Sequence, residues 1–249
     1  MNDAVDYWTE KIKEAFLEDN LSLASSLADS ALDETNSAPA LMEIAGLIAF
    51  HQKDLGRAIQ LIEAAMFETP LSITSQMALA EIRLEIKEPD SAFSILEFLV
   101  EIVERVPCSM LPKLTHMLAE VDRYEEAVAV CLEAHKRHPE DSNAIFGAGF
   151  YMHRAGHPLP LVAGAMVKAV EIRPRSFLYR LNLSVVLCWL EEWDQAYAHA
   201  CCLSEKALGC IPCDCMAEQI KSLFERFEDT KRLEFLQSKN ASELSDEHE

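Results

Sequence analysis

Apolar residues along the chain recur at three- and four-residue spacing, which places them on one face of each predicted helix. The pattern is clearest in residues 39–70. There the two apolar faces consist of Leu41, Ile44, Ala45, Ile48 and Ala49, followed by Ala58, Ile59, Ile62, Ala65 and Met66. Asp54 is suited to cap the second helix, because its carboxylate accepts hydrogen bonds from unpaired backbone N–H groups. The pattern predicts two antiparallel helices joined by a tight turn and ended by Pro70.

The same pattern returns at intervals of 34 or 35 residues. A small or apolar residue near the start of each second helix recurs as Ala24, Ala58, Ala92, Ala127, Val162 and Ala196. Four positions later the chain has Ala28, Ile62, Leu96, Cys131, Met166 and Ala200. The late proline returns as Pro139 and Pro174. Six repeats are therefore expected over residues 5–210, starting near positions 5, 39, 73, 108, 143 and 177.

A repeated helix pair predicts an all-α solenoid, because one pair alone cannot bury its apolar face and must stack on the next. We expect residues 1–237 to form one such array. Residues 214–227 carry an apolar stripe with charges on the other side, as a terminal capping helix requires. The second helix of the third repeat is expected to continue to Val106. Residues 238–249 contain one leucine among many acids and are expected to be a disordered acidic tail.

The residues at the repeated positions resemble those of the tetratricopeptide repeat family. In the second repeat, the matching residues are Met42, Ala45, Gly46, Ala49, Ala58, Ile62 and Pro70. The first repeat fits less well, since Trp8 suits the pattern but Lys11 stands where the family prefers leucine. The resemblance implies a right-handed α-α superhelix and a protein–protein interaction module. It also implies that partners bind a concave groove lined by the first helix of each pair.

Transferring the family's repeat register to this chain gives a set of predicted groove residues. They are Glu43, Leu47, Phe50, Met77, Glu81, Lys113, His116, Tyr151, Arg154, Asn182, Val185 and Trp189. Family members that bind the acidic C-termini of chaperones use a clamp of lysines and asparagines in this groove. Only Lys113 and Asn182 are of that type, and they lie in repeats too far apart to act together. The resemblance therefore does not predict recognition of chaperone tails.

Composition indicates the kind of partner. The chain has 42 acidic and 22 basic residues, for a formal net charge of −20. This charge repels nucleic-acid phosphates and argues against DNA or RNA as a partner. An apolar groove on an acidic protein instead suits a peptide or helical segment with apolar and basic residues.

The sequence also predicts where the protein works. Its first residues have neither the basic region nor the apolar run of a signal peptide. No apolar stretch approaches the roughly 18–20 residues that a membrane-spanning helix needs. Eight cysteines without a secretory context indicate free thiols in a reducing compartment. We expect a cytoplasmic protein with no membrane partner.

Candidate chemistry is limited to one cysteine cluster, Cys210, Cys213 and Cys215. Zinc prefers four thiolate or imidazole ligands, and a second ligand pair at suitable spacing is missing. The sequence has no phosphate-binding loop, no nucleophile elbow and no zinc-protease motif. We therefore predict a non-enzymatic adapter, scaffold or chaperone-like module without a cofactor. The alternatives are a metal- or redox-active protein that uses the cysteine cluster, or a purely architectural subunit of a complex.

Overall fold

The computed structural model describes residues 2–236, and within that range the chain is helical with no strand. The predicted all-α fold is confirmed. The chain separates into two compact units, Met1–Arg123 and Tyr124–Glu249, called here the N-terminal and C-terminal units. The prediction of one continuous array stays a prediction. The predicted acidic tail at 238–249 lies outside the described residues.

The helix bounds follow the predicted repeats. The N-terminal unit contains α1 (Asn2–Leu17), α2 (Leu21–Glu34), α3 (Pro39–His51), α4 (Leu55–Glu68), α5 (Ile73–Glu85), α6 (Pro89–Glu101) and α7 (Leu111–Glu120). The C-terminal unit contains α8 (Tyr124–Arg137), α9 (Ser142–Arg154), α10 (Leu159–Ile172), α11 (Phe177–Trp189), α12 (Trp193–Ala200), α13 (Glu205–Leu208) and α14 (Asp214–Arg226). Residues 230–236 are also helical.

The turn inside each helix pair has one backbone geometry throughout. In α3–α4, Lys53 adopts a left-handed φ of 63°. Its N–H donates to the Phe50 carbonyl, and the Asp54 N–H donates to the Ala49 carbonyl, each at 2.9 Å. These two bonds define a Schellman ending, which satisfies carbonyls at the end of α3. The Asp54 carboxylate then accepts from the Arg57 N–H at 3.1 Å, so one residue closes one helix and caps the next.

The left-handed residue recurs at the same place in all six predicted repeats. Successive occurrences are 34 or 35 residues apart, and five of the six are not glycine. The residues are Asp19, Lys53, Lys87, Asp122, Gly156 and Glu191. Left-handed backbone costs a residue with a side chain roughly 1 kcal/mol. The packing of the helices it joins must therefore offset that cost at each turn.

The repeated small residues form the core where paired helices meet. All twelve positions identified from the period are buried. Gly46 of α3 shows how close the approach is, because a Cβ there would lie 2.6 Å from Cγ1 of Ile62 on α4. The small side chains thus permit the close helix contacts that the repeat predicted.

The third repeat differs from the prediction at its end. The helix that was expected to continue to Val106 ends at Glu101, and Val103–Arg105 forms a separate 3-10 turn. Val106 is extended, with φ −67° and ψ 129°. The following Pro107 explains this, because proline disfavours helical backbone in the residue before it.

A buried hydrogen-bond network links α9 and α11 in the C-terminal unit. The Tyr179 hydroxyl donates to Oδ1 of Asn143 at 2.6 Å and lies 3.2 Å from Oγ of Ser142. The Tyr179 ring stacks on Phe146 with centroids 4.5 Å apart. The ring therefore fills the core while its hydroxyl ties the starts of the two helices together.

We expect Tyr179→Phe to lower the free energy of unfolding by about 0.5–1.5 kcal/mol. The ring and its packing are retained, so the loss comes from the hydrogen bonds alone. Urea unfolding followed by circular dichroism measures the change. In an Asn143→Ala background the same substitution should cost less, because the main acceptor is already gone. An equal cost in both backgrounds would rule out the network.

Candidate functional site

The first helices of the N-terminal unit, α1, α3, α5 and α7, line two grooves. The first, here the apolar groove, has a volume of about 360 Å³. It is lined by Ile12, Lys13, Phe16, Leu17, Ile44, Leu47, Ile48, His51 and Thr74. The second, here the charged groove, has a volume of about 720 Å³. It is lined by Glu81, Leu84, Glu85, Lys87, Pro89, Lys113, His116, Met117 and Glu120.

The apolar groove is open to solvent at its α1 side. Leu17 is 85% exposed and Phe16 is 39% exposed, although both are large apolar side chains. Phe16 meets His51 of α3 edge to face, with ring centroids 5.2 Å apart. Burial of such side chains is worth roughly 1.5–3 kcal/mol each, so this surface favours an apolar occupant.

The charged groove is partly neutralised by its own ion pairs. Lys113 on α7 forms an ion pair with Glu81 on α5. Nε2 of His116 lies 3.1 Å from Oε1 of Glu120. The Lys113, His116 and Glu120 side chains are exposed, whereas Oε2 of Glu81 is buried. Exposed ion pairs contribute little to stability.

Glu43, predicted as a groove residue, also makes contacts within the fold. Its carboxylate accepts from the Ser72 N–H at 3.2 Å and from the Ser75 hydroxyl at 2.8 Å. Both donors lie at the start of α5, where the positive end of the helix dipole favours an anion. Glu43 therefore joins α3 to the N-terminus of α5.

Three predicted groove residues are buried, which corrects the expectation that they contact a partner. Phe50, Met77 and Val185 are 8%, 3% and 1% exposed. Val185 lies within the core of the C-terminal unit. Phe50 is covered by the ammonium groups of Lys53 and Lys113, which lie 5.4 and 5.7 Å from its ring centroid. Adjacent first helices contact one another, so positions that face the next helix are not accessible.

Two predicted groove residues of the C-terminal unit, Tyr151 and Trp189, belong to an aromatic patch. The patch consists of Tyr124, Phe150, Tyr151, His153 and Trp189, at the start of α8 and the ends of α9 and α11. Trp189 is 38% exposed, and its ring stacks on His153 with centroids 4.8 Å apart. Burial raises the pKa of the Tyr151 hydroxyl, which stays protonated at neutral pH. The patch is a rigid surface with both apolar and hydrogen-bonding character.

Polar residues of the same unit are held by local contacts. The Arg154 guanidinium donates to the Tyr124 hydroxyl at 2.7 Å and lies 4.9 Å from its ring centroid. The Asn182 amide donates to the Leu178 carbonyl one turn earlier, at 2.8 Å. Asn182 and Lys113 lie in different units.

The sequence analysis missed the residues of α1 that line the apolar groove. Phe16 and Leu17 are adjacent in the sequence, and adjacent residues of a helix point to different sides of that helix. The sequence feature that could have indicated these two groove residues is an apolar pair at the very end of an amphipathic helix. The first repeat fits the family pattern poorly, so the repeat register gave no reason to include it.

Two other kinds of feature, a metal-ion cluster and a membrane-spanning helix, are absent from residues 2–236. No group of three or more His, Cys, Asp or Glu side chains in that range is arranged to hold a metal ion. No helix there is both long enough and apolar enough to cross a bilayer. His153 and His157 have different partners, since His157 lies 2.8 Å from a carboxylate oxygen of Glu125 while His153 stacks on Trp189.

Comparison with known proteins concerns the fold alone. No protein-family model matches the sequence, and no curated protein is significantly similar to it. Among solved structures, YrrB, described as a tetratricopeptide-repeat protein with an unusual peptide-binding site, is 19% identical, with a TM-score of 0.56 over 69% of this chain and 88% of that chain. The C-terminal part of a repeat-containing protein from Cytophaga hutchinsonii is 10% identical, with a TM-score of 0.66 over 92% and 93%.

A third structure extends the comparison over most of the chain. A tetratricopeptide repeat protein from Parabacteroides merdae is 15% identical, with a TM-score of 0.57 over 94% of this chain and 99% of that chain. Identities this low leave the fold, rather than the binding residues, as the shared property. The helix pairs, their period and these similarities together identify the chain as a helical repeat protein with the tetratricopeptide-repeat fold.

Proposed function

We propose that the protein is a non-enzymatic adapter that binds a segment of another protein along the first-helix face of its N-terminal unit. The observation that carries the proposal is the open apolar groove, in which Leu17 remains 85% exposed. Helix α5 lines both grooves, through Thr74 in one and Glu81 in the other. A bound segment would therefore pass from apolar to charged surroundings.

The chemistry of the grooves favours a segment with apolar anchors followed by basic residues. The apolar groove accepts leucine- or phenylalanine-sized side chains. The charged groove contributes three carboxylates, and that of Glu81 forms an ion pair with Lys113. The net charge of −20 attracts a basic segment at long range and raises its association rate. An amphipathic helix laid into a groove is a common way to meet both requirements.

The aromatic patch offers a second contact surface in the C-terminal unit. Partially exposed tryptophan and tyrosine side chains are enriched where proteins bind one another. The fold supports the same role, because YrrB, with this fold, has a peptide-binding site according to its description. A cytoplasmic location remains part of the proposal.

The test compares Leu17→Lys with Phe67→Lys. The probe is a fluorescein-labelled helical peptide with leucine and phenylalanine on one face and lysines on the other. We expect Leu17→Lys to weaken binding by about tenfold or more. The loss of the leucine removes an apolar contact worth at least about 1.4 kcal/mol, and the added positive charge repels the basic probe. Fluorescence anisotropy gives the dissociation constants.

Phe67→Lys is the matched control. Phe67 is 87% exposed, so both substitutions remove an exposed apolar side chain and add one charge. It lies on α4, a second helix, and lines neither groove. Equal weakening by the two variants would show a general charge effect. Unchanged binding by Leu17→Lys, with an unchanged melting temperature, would eliminate the apolar groove as the binding site.

A further inference from the structure

Cys213 and Cys215 meet at the start of α14. Cys213 is the residue before the helix and has extended backbone, with φ −154° and ψ 154°. Cys215 lies in the first turn. Their Sγ atoms are 2.8 Å apart, and both side chains are exposed. Two accessible thiols in direct contact are a pair of nucleophiles that the adapter role does not use.

The environment makes the two sulfurs unequal. The Cys213 pKa is lowered, first by its hydrogen bond with the Cys215 side chain and then by the backbone N–H of Met216. The Cys215 pKa is raised, mainly by the same hydrogen bond with Cys213. By contrast, burial raises the pKa of Cys188 to about 11. Since the thiolate is the reactive form, Cys213 is suited to attack and Cys215 to follow it.

We propose that Cys213 and Cys215 form a reversible dithiol–disulfide site that is oxidised by hydroperoxides. In the first step, the Cys213 thiolate attacks one oxygen of the O–O bond. A sulfenic acid forms on Cys213, and an alkoxide leaves and takes up a proton. In the second step, the Cys215 sulfur attacks the sulfenic sulfur, its proton leaves with the hydroxyl as water, and the disulfide forms. Overall, two thiols and one hydroperoxide give one disulfide, one alcohol and one water.

The positions of the two sulfurs suit this product. The sulfurs need to approach by less than about 1 Å to reach disulfide bonding distance. The Cys213 carbonyl already accepts from the Ala217 N–H at 3.1 Å, so the first turn of α14 is in place before the bond forms. Cys210 precedes the pair and is also exposed.

The first measurement is the rate of thiol alkylation in the reduced full chain at pH 7, resolved by peptide mass spectrometry. We expect iodoacetamide to modify Cys213 about tenfold faster than Cys210 or Cys202, which are also exposed. Cys215→Ala removes the donor and should slow modification of Cys213, whereas Cys215→Ser retains a hydroxyl donor and should slow it less. Equal rates at Cys213 and Cys210 would overturn the proposal.

The second measurement is oxidation by one equivalent of hydrogen peroxide. We expect two thiols per chain to be lost, a Cys213–Cys215 linkage in the digest, and full recovery with dithiothreitol. In Cys215→Ser, a sulfenic acid should accumulate on Cys213 and be trapped by dimedone. Cys210→Ser should behave like the unmodified chain. A disulfide that involves Cys210 instead, or no loss of thiols, would contradict the assignment whatever the peptide-binding experiments give.

Discussion

Replacing Phe224 with alanine is expected to lower the free energy of unfolding by about 3–5 kcal/mol. Phe224 lies on α14 and is fully buried, together with Ile220 and Leu223. Its ring meets Tyr197 edge to face at 6.4 Å, and α14 packs against α11 and α12. Removing the ring leaves a cavity that rigid neighbours cannot fill. A loss of this size is a large part of a domain's total stability.

The measurement is urea unfolding of the purified chain, with Phe177→Ala as the matched control. Phe177 begins α11 in the same unit but is 44% exposed, so we expect that substitution to cost less than about 1 kcal/mol. The contrast tests whether α14 is an integral part of the core. Similar small losses for both substitutions would show that α14 is loosely attached and does not cap the array.

The second large effect is expected at Gly46. Alanine there should destabilise the chain by about 1–3 kcal/mol, although alanine normally favours a helix. The new Cβ would lie 2.6 Å from Cγ1 of Ile62 and 3.3 Å from the Ala58 carbonyl oxygen. Ile62 is fully buried, so its side chain has no space to turn away. Relief therefore requires α3 and α4 to move apart.

Gly164→Ala is the same substitution at another helical glycine, and we expect the opposite effect on stability. Gly164 lies inside α10, and a Cβ there meets nothing within 4 Å. Alanine at this position should stabilise the chain by up to about 1 kcal/mol, because glycine loses more backbone freedom on folding. Thermal and urea unfolding of both variants give the signs. Two stabilising substitutions would mean that α3 and α4 are not held at the distance described.

The sequence was sufficient to predict the helix pairs because the period is carried by residues that the fold forces to be small. Ala58 illustrates this: it is fully buried against α3, and a larger side chain would separate the helices. The end of the third repeat was less predictable, since Val103 and Val106 continue the apolar spacing while Pro107 breaks the helix. The apolar spacing there favours a longer helix, whereas the backbone preference of the residue before proline opposes it. The helix ends before Val103, as the backbone preference favours.

The binding surface was predicted only in part, for a physical reason. A repeat register gives the angular position of a residue on its helix, but accessibility depends on how closely the next helix approaches. Phe50 and Met77 are on first helices as predicted, yet neighbouring first helices and lysine side chains cover them. Leu17 shows the reverse, because it lies at the end of α1 and its side chain remains exposed.

The repeated left-handed turn has a consequence for how relatives of this chain are recognised. The six turn positions are occupied by aspartate, lysine, lysine, aspartate, glycine and glutamate, while their φ angles stay between 57° and 82°. Residue type therefore varies from repeat to repeat at this position, whereas the backbone conformation does not. The six turns share a backbone torsion angle and not a residue type. Alignment by backbone conformation should therefore detect distant homologues that comparison of sequences overlooks, and these turns are the positions at which to set its register.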